Sequence, residues 1–128
     1  MLALVVVLDQ FSRNLYRDDA RAFAQDAHAR ECSREAIARG DDATLIPVER
    51  WFLYLPFVHG ESRDDQELGV KLMSQLDGFE ETRDVSQWAV KHKVIIDRFG
   101  RFPHRNAALG RAGTPQEVEF LKTPGSGF

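Results

Sequence analysis

Apolar residues recur three or four positions apart along most of this chain, the spacing that places side chains on one face of an α-helix. The clearest case begins at Pro47, a residue that suits the first turn of a helix, and continues to about Val58. This segment is the most apolar of the chain, and we expect it to be the central element. No segment shows the alternation of apolar and polar residues that is typical of a half-buried strand. The spacing therefore predicts an all-α protein.

Helix-start and helix-stop residues divide the chain into seven predicted helices. The predicted helices are Met1–Asn14, Asp18 or Asp19 to Arg39, Pro47 to Val58, one opened by Ser62 or Asp64 that contains Leu68 to Leu76, one opened by Asp84 or Ser86 that reaches Phe99, Pro103 to Leu109, and Pro115 to Leu121. The last begins at a capping box, Thr114-Pro115-Gln116-Glu117. We expect antiparallel helical hairpins in one domain, residues 1–122, followed by a flexible Pro/Gly/Ser-rich tail at 123–128.

Composition and missing motifs narrow the classes of function. The net charge of −3 argues against a nucleic-acid-binding protein. The single cysteine, Cys32, cannot form an internal disulfide, which favours the reducing cytoplasm. The chain has no glycine-rich phosphate loop, GxSxG, HExxH or CxxC motif, and no two of its four histidines are spaced i, i+4. We therefore expect no metal site and no cofactor, and we expect Cys32 and His92 to be buried core residues.

The chain begins with an unbroken apolar run, Met1–Leu8. The run is far shorter than the ~20 residues that span a bilayer, and Asp9 follows it directly, so we expect neither a membrane helix nor a signal peptide. A helix that is apolar on all sides needs to be covered. We expect this run to be buried against its own domain or against a partner. We therefore expect either a homodimer or a gain in solubility when upstream residues are restored.

Three polar clusters interrupt the apolar helices, and the first is Asp9-Gln10-Phe11-Ser12-Arg13-Asn14. Asp9 and Arg13 are spaced i, i+4 with the acid first, which is the favourable order for an ion pair within a helix. This cluster is interpreted either as a local salt bridge or as one wall of a polar pocket, to which Gln10 and Asn14 would contribute hydrogen bonds.

The second cluster begins at Glu49 and Arg50 and continues through Tyr54 to His59 and Glu61. Glu49 lies inside the most apolar helix, where an unpaired carboxylate is costly. We therefore expect to find this carboxylate beside an arginine or with a raised pKa. The two alternatives are a buried ion pair and a catalytic acid or base.

The third cluster is the turn Arg98-Phe99-Gly100-Arg101-Phe102-Pro103-His104-Arg105-Asn106. Its three arginines and His104 surround a predicted helix start, whose free N–H groups already favour anions. Such crowding of cations requires compensation. The compensating charge is either the carboxylates of Asp9, Glu49 and Asp97 or a bound phosphate or carboxylate ligand.

Several segments, in order along the chain, resemble a bacterial family catalogued as domain of unknown function 924. They are Leu8–Asn14, Ala20–Phe23, Glu49–Glu61, Arg98–Asn106 and Thr114–Glu117, and the resemblance covers nearly the whole chain. It implies an all-α fold of about six or seven helices, similar to tetratricopeptide repeats, although no repeat at the 34-residue period is visible. Members of that family usually carry a further segment before the Leu-Asp-Gln-Phe motif. The family has no agreed activity, so the resemblance implies no reaction.

Two hypotheses about function follow. The first is a non-enzymatic protein that binds a small anionic ligand or an acidic peptide in a polar cleft, through Gln10, Arg13, Asn14, Arg50, Arg98, Arg101, His104 and Arg105. The second is a metal-independent, hydrolase-like enzyme with a base, Glu49 or Asp9, and an acid, His59 or His104. Purely structural arginine–carboxylate pairs are the alternative to both.

Overall fold

The all-α prediction is confirmed by the structure, a computed structural model that describes residues 1–127. Within this range the chain forms α-helices, short 3₁₀ turns and one π-helical turn, and no β-strand. The α-helices are α1 (Leu2–Val6), α2 (Ser12–Leu15), α3 (Asp26–Ala38), α4 (Pro47–Val58), α5 (Arg63–Ser74), α6 (Val85–Phe99), α7 (Asn106–Leu109) and α8 (Pro115–Leu121). The 3₁₀ turns span Ala20–Ala22, Asp41–Thr44, Glu80–Thr82 and Pro103–Arg105, and the π turn spans Val7–Phe11. The finer resemblance to tetratricopeptide repeats stays a prediction.

The first helix runs without a break from α1 through the π turn into α2. Val7 and Ser12, at the two junctions, both keep right-handed helical dihedral angles, with φ of −62° and −60°. A π turn holds one more residue than an α-helical turn and is frequent at functional sites. Here the turn contains Asp9, which is only 1 % exposed. The helix predicted for the N-terminus is present, with a local widening at its first polar residue.

Only one face of this helix packs against the rest of the domain. Val5 is fully buried, whereas Leu4 and Val7 are 43 % and 47 % exposed. The exposed stripe continues to Phe11 and Leu15. Burial of the whole apolar run against its own domain, one of the expected arrangements, is therefore wrong, and the homodimer stays a prediction. None of the described helices combines the length and the apolarity needed to cross a membrane.

The second predicted helix is divided into two parts. The turn Ala20–Ala22 is a 3₁₀ helix, and its N-cap Asp19 accepts a hydrogen bond from the backbone N–H of Arg21 at 2.8 Å. The α-helix α3 begins only at Asp26. The prediction of one continuous helix from Asp18 or Asp19 to Arg39 is therefore wrong over the first turns. The break places Asp26 at the start of α3, where its carboxylate meets arginines from two distant segments.

The helix α4 is the central element, as its apolar composition predicts. Leu53, Tyr54 and Phe57 are each 0 % exposed, and α4 contacts α1, α3 and α5. The buried core around these three side chains contains Val5, Cys32, Ala36, Leu55, Val58, Leu72, Met73, Leu76, Val85 and Ala89. The expectation that Cys32 is a buried core residue is confirmed.

A smaller apolar cluster holds the C-terminal segments against α6. Ile95, Ile96 and Phe102 form its buried centre, and Phe99 and Phe120 pack against it with ring centroids 5.0 Å apart. This cluster fixes α8 beside the end of α6.

The division into a domain at 1–122 and a flexible tail at 123–128 stays a prediction. Within that tail, the Thr123 hydroxyl donates to the Phe120 carbonyl at 2.6 Å, and the Ser126 hydroxyl donates to the Leu121 carbonyl at 3.2 Å. Phe128 lies outside the described residues.

The hairpin of α4 and α5 is closed by a buried glutamine and a glycine. Gln66 is 1 % exposed, and its Nε2 donates to the carbonyls of Val58 and Gly60, each at 2.7 Å. These carbonyls lie at the end of α4, where no helical N–H is available to bond them. A Cβ at Gly69 would lie 3.0 Å from Val58 Cγ2 and 3.3 Å from the Val58 nitrogen, so glycine allows α5 to approach α4 closely.

Replacing Gln66 with Leu should destabilise the protein, because two buried carbonyls at the end of α4 would lose their donor. We expect the free energy of unfolding to fall by about 1–3 kcal/mol, measured by chemical denaturation. Gln116→Leu is the control, since Gln116 is exposed on α8, and it should stay within about 0.5 kcal/mol of the parent. Equal losses in the two variants would contradict this account.

Candidate functional site

A cavity of about 690 Å³ opens between the N-terminal helix, α4, α6 and the segment around residue 105. Its walls combine arginine, histidine and amide side chains with aromatic rings. The lining residues are Gln10, Arg13, Asn14, Arg17, Asp18, Ala22, Phe23, Trp51, Phe52, Leu55, His59, Trp88, His92, His104, Arg105 and Ala108. Cavities of this size are typical of sites for small molecules.

Asp9 lies directly behind the polar wall of this cavity. Its carboxylate accepts hydrogen bonds from Gln10 Nε2 at 2.6 Å and from Arg13 Nη1 at 3.0 Å, and it lies 2.7 Å from His59 Nδ1. Burial would raise the pKa of Asp9, but the neighbouring His59 and Arg13 outweigh burial and hold the pKa below its usual value. The carboxylate is therefore ionised at neutral pH. The predicted pair of Asp9 and Arg13 is confirmed.

His59 links the end of α4 to Asp9. Burial lowers the pKa of His59 below its usual value, against the opposing effect of the Asp9 charge. The ring is therefore neutral at neutral pH. Because an ionised carboxylate only accepts hydrogen bonds, Nδ1 of His59 must carry the proton, which leaves a lone pair on Nε2. His59 thus presents a potential proton acceptor in the wall of the cavity.

Arg13 and Arg105 share the carboxylate of Asp26. Arg13 binds it with both terminal nitrogens, at 2.8 Å and 2.9 Å, whereas Arg105 Nη1 lies 3.7 Å from the same carboxylate. The strong bidentate contact belongs to Arg13. Asp26 therefore neutralises Arg105 only in part.

Arg105 is the most buried cation of the cavity. Its side chain is 7 % exposed, and its guanidinium carbon lies 4.5 Å and 4.7 Å from the ring centroids of Phe23 and Phe102. Nη2 donates to the His59 carbonyl at 2.9 Å, while Nε has no acceptor among residues 1–127. Burial lowers the pKa of Arg105 to about 10, so the group remains positively charged at neutral pH.

Two further histidines line the cavity as neutral rings. Burial lowers the pKa of His92 to about 4 and the pKa of His104 to about 4. His92 is 2 % exposed, and its Nδ1 lies 2.8 Å from the Trp88 carbonyl, so the expectation of a buried core histidine is confirmed. Within residues 1–127 no group of three or more His, Cys, Asp or Glu side chains is arranged to hold a metal ion.

The structure brings together one part of the sequence-predicted site. Asp9 and His59 are in contact, and the predicted residues that line the cavity are Gln10, Arg13, Asn14, His59, His104 and Arg105. Glu49 does not belong to this group. It is half-buried and accepts a hydrogen bond from the Ile46 N–H at 3.1 Å, so it caps its own helix. The expectation that Glu49 forms an ion pair with an arginine is wrong within the described residues, because its carboxylate caps the N-terminus of its own helix.

The remaining predicted arginines point to other partners. Arg50 Nε donates to Tyr54 Oη at 3.3 Å, and the Arg98 guanidinium lies 4.6 Å from the Phe99 ring centroid. Arg101 binds both oxygens of Glu117, at 2.9 Å and 2.8 Å. These three side chains do not line the cavity.

Glu117 and Asp97 explain why the arginine turn is not a single cluster. Glu117 is 2 % exposed and accepts the Thr114 N–H at 2.9 Å, so the predicted capping box is confirmed and also holds Arg101. Asp97 pairs with Lys93 at 2.7 Å and lies 4.0 Å from Arg63. The alternative in which Asp9, Glu49 and Asp97 compensate the arginines of this turn is therefore wrong.

The sequence analysis did not identify several residues that line the cavity or contact its arginines. Asp26 was missed because it contacts an arginine thirteen positions earlier and another on a different segment, which no local spacing reveals. Trp51, Phe52 and Trp88 lie on apolar helix stripes, and such stripes are more often core than binding site. Arg17, at the rim of the cavity, lies in no motif.

The fold and the site together define an all-α domain that contains a small-molecule-sized cavity walled by arginine, histidine and aromatic side chains. The chain belongs to the family described as "Bacterial protein of unknown function (DUF924)", which matches residues 1–125 and confirms the resemblance. A solved structure of a protein of unknown function from Agrobacterium tumefaciens is 41 % identical, with a TM-score of 0.85. That match covers 94 % of this chain and 66 % of the other, so this chain spans just under two thirds of its length. No curated protein matches this chain.

Replacing Arg13 with Ala should destabilise the protein strongly, because Asp9 and Asp26 would both lose a buried ion partner. We expect a loss of about 3–5 kcal/mol, measured as the free energy of unfolding by chemical denaturation. Arg17→Ala is the matched control, since Arg17 is exposed and makes no ion pair among the described residues. It should change stability by less than about 0.5 kcal/mol. A mild effect of Arg13→Ala would contradict the role of this arginine in the fold.

Proposed function

We propose that the cavity binds a small anionic ligand. The observation that carries this proposal is Arg105, a buried guanidinium that remains charged. Its acidic neighbours, Asp26 and Glu61, already make closer ion pairs with other arginines. A buried charge is costly unless it is paired and hydrogen-bonded. An anion in the cavity would complete the compensation of this charge, and solvent would screen the attraction less in this partly enclosed site than at the open surface.

Other polar groups of the cavity support the same proposal. Arg17 lies exposed at the rim of the cavity and makes no ion pair within the described part of the chain, so its charge is available to an entering anion. Gln10 and Asn14 add amide groups on the same wall. The volume suits a small molecule better than a folded partner.

The two tryptophans of the chain, Trp51 and Trp88, both line the cavity, so their fluorescence should report its occupancy. Titration with acetate, benzoate or inorganic phosphate at constant ionic strength should change this fluorescence for at least one anion. The same anion should raise the melting temperature, because it binds only the folded protein.

Three variants test which residues bind the anion. Arg105→Lys keeps the charge but loses the planar fork, and it should weaken binding by ~tenfold. Arg98→Lys, the matched control outside the cavity, should bind as the parent does. Arg17→Ala should weaken binding without loss of stability. A protein in which none of the three anions has an effect, or in which Arg98→Lys and Arg105→Lys behave alike, would contradict the proposal.

The contact between Asp9 and His59 favours a second candidate function, acid–base catalysis. We propose for this case that His59 Nε2 accepts a proton from a water molecule whose oxygen bonds to the carbonyl carbon of an ester in the cavity. The bond from that carbon to the leaving alkoxide then breaks, and the alkoxide takes up the proton from Nε2. Asp9, 2.7 Å from Nδ1, would hold the ring in the required tautomer and stabilise its positive charge. Because the pKa of His59 is lowered, Nε2 would stay unprotonated, and therefore active as a base, at pH values below the usual histidine pKa.

Hydrolysis of a p-nitrophenyl ester as a function of pH tests this candidate. His59→Gln should lower the rate by roughly 10²-fold, because general-base catalysis is lost. His28→Gln is the control, since His28 is exposed and lies outside the cavity. The rate of the parent should fall on the acid side of the profile as His59 is protonated, and the midpoint of this fall should lie below the usual histidine pKa. Equal rates for the parent and both variants would leave only the binding proposal.

A further inference from the structure

The cavity has two chemically different walls. One wall carries the polar groups around Arg105 and Arg13. The other is formed by the rings of Trp51, Phe52 and Trp88. The rings of Trp51 and Phe52 lie 5.8 Å apart with an interplanar angle of 32°, so they present a broad, tilted aromatic surface. A ligand that is only an anion, such as phosphate, would gain little from this surface.

The charges around the cavity favour an anion of low charge. Three guanidinium groups line it, and three carboxylates either line it or contact those guanidinium groups, so the two sets are equal in number and only a small local excess of positive charge remains near Arg105 and Arg17. These groups are Arg13, Arg17, Arg105, Asp9, Asp18 and Asp26. The three histidines of the cavity add no charge at neutral pH. A dianion would meet a much less favourable balance than a monoanion does.

The way Arg105 is held favours a planar anion. Two aromatic rings, Phe23 and Phe102, pack against the guanidinium, which leaves its N–H groups to polar partners. Donors in the plane of a guanidinium match the planar, two-oxygen geometry of a carboxylate.

We infer that the ligand is a monocarboxylate carried on a planar aromatic ring. This inference rests on the proposed anion-binding function and names its ligand class. The carboxylate meets Arg105, and the ring stacks on Trp51 and Phe52. The volume of about 690 Å³ leaves room for one or two fused rings.

Isothermal titration calorimetry with matched probes tests the inference. Benzoate and 2-naphthoate carry a ring and a charge, cyclohexanecarboxylate has the charge without the planar ring, and benzamide has the ring without the charge. Adipate and inorganic phosphate test other anions. We expect at least one aromatic carboxylate to bind ~tenfold more tightly than cyclohexanecarboxylate, the factor that an aromatic contact contributes. We also expect it to bind more tightly than benzamide, adipate and phosphate.

Variants of the aromatic wall provide a second readout. Trp51→Leu should weaken the binding of the aromatic carboxylate by ~tenfold, because the substitution removes the ring. It should change the binding of cyclohexanecarboxylate little, because leucine keeps the wall apolar. Phe79→Leu, an exposed aromatic residue outside the cavity, is the control and should leave both affinities unchanged.

The outcomes separate this inference from the proposed function. If phosphate, adipate or cyclohexanecarboxylate binds as tightly as the aromatic carboxylates, and Arg105→Lys weakens that binding, anion binding stands and the aromatic class is overturned. If benzamide binds as tightly as benzoate, the inference that the ligand carries a carboxylate is overturned. If no anion binds, the proposed function fails and the inference fails with it.

Discussion

The carboxylate of Asp26 connects three distant parts of the chain. It receives both terminal nitrogens of Arg13 from the N-terminal helix and lies 3.7 Å from Arg105 on the C-terminal side. Asp9 adds a second link, since it contacts both Arg13 and His59 at the end of α4. Because each of these charges is buried or nearly so, removing one would leave its partners unpaired. The segments that enclose the cavity are thus held by ion pairs as well as by apolar packing.

The same network gives the cavity its chemical character. Arg13 takes the bidentate contact with Asp26, and this leaves Arg105 as a buried cation with incomplete compensation. Burial keeps His59, His92 and His104 neutral, so charge in the cavity comes from arginines and aspartates alone. Such a network stabilises the fold, and the same arginines would contact the anion that we propose. Structural ion pairs and anion binding draw on the same residue types, so the sequence could not separate them.

Residues with local partners were predicted well. The capping box of Thr114 and Glu117, the pair of Asp9 and Arg13, and the proline that starts α4 each depend on residues within four positions. Their geometry follows from the helix repeat, which is the same in every protein. Glu49 has a local partner too, but the expectation of a distant arginine overlooked the capping of its own helix by this side chain.

The sequence by itself determined the all-α class, the central position of α4 and most helix ends, because periodicity and capping act over a single helical turn. Only the tertiary structure decided which arginines meet. Arg101 pairs with Glu117 and Arg105 with Asp26, although the two arginines are only four residues apart in the sequence. That choice depends on where α3 and α8 pack. Packing is set by the fit of apolar surfaces far apart in the chain, and no local pattern of charges records it.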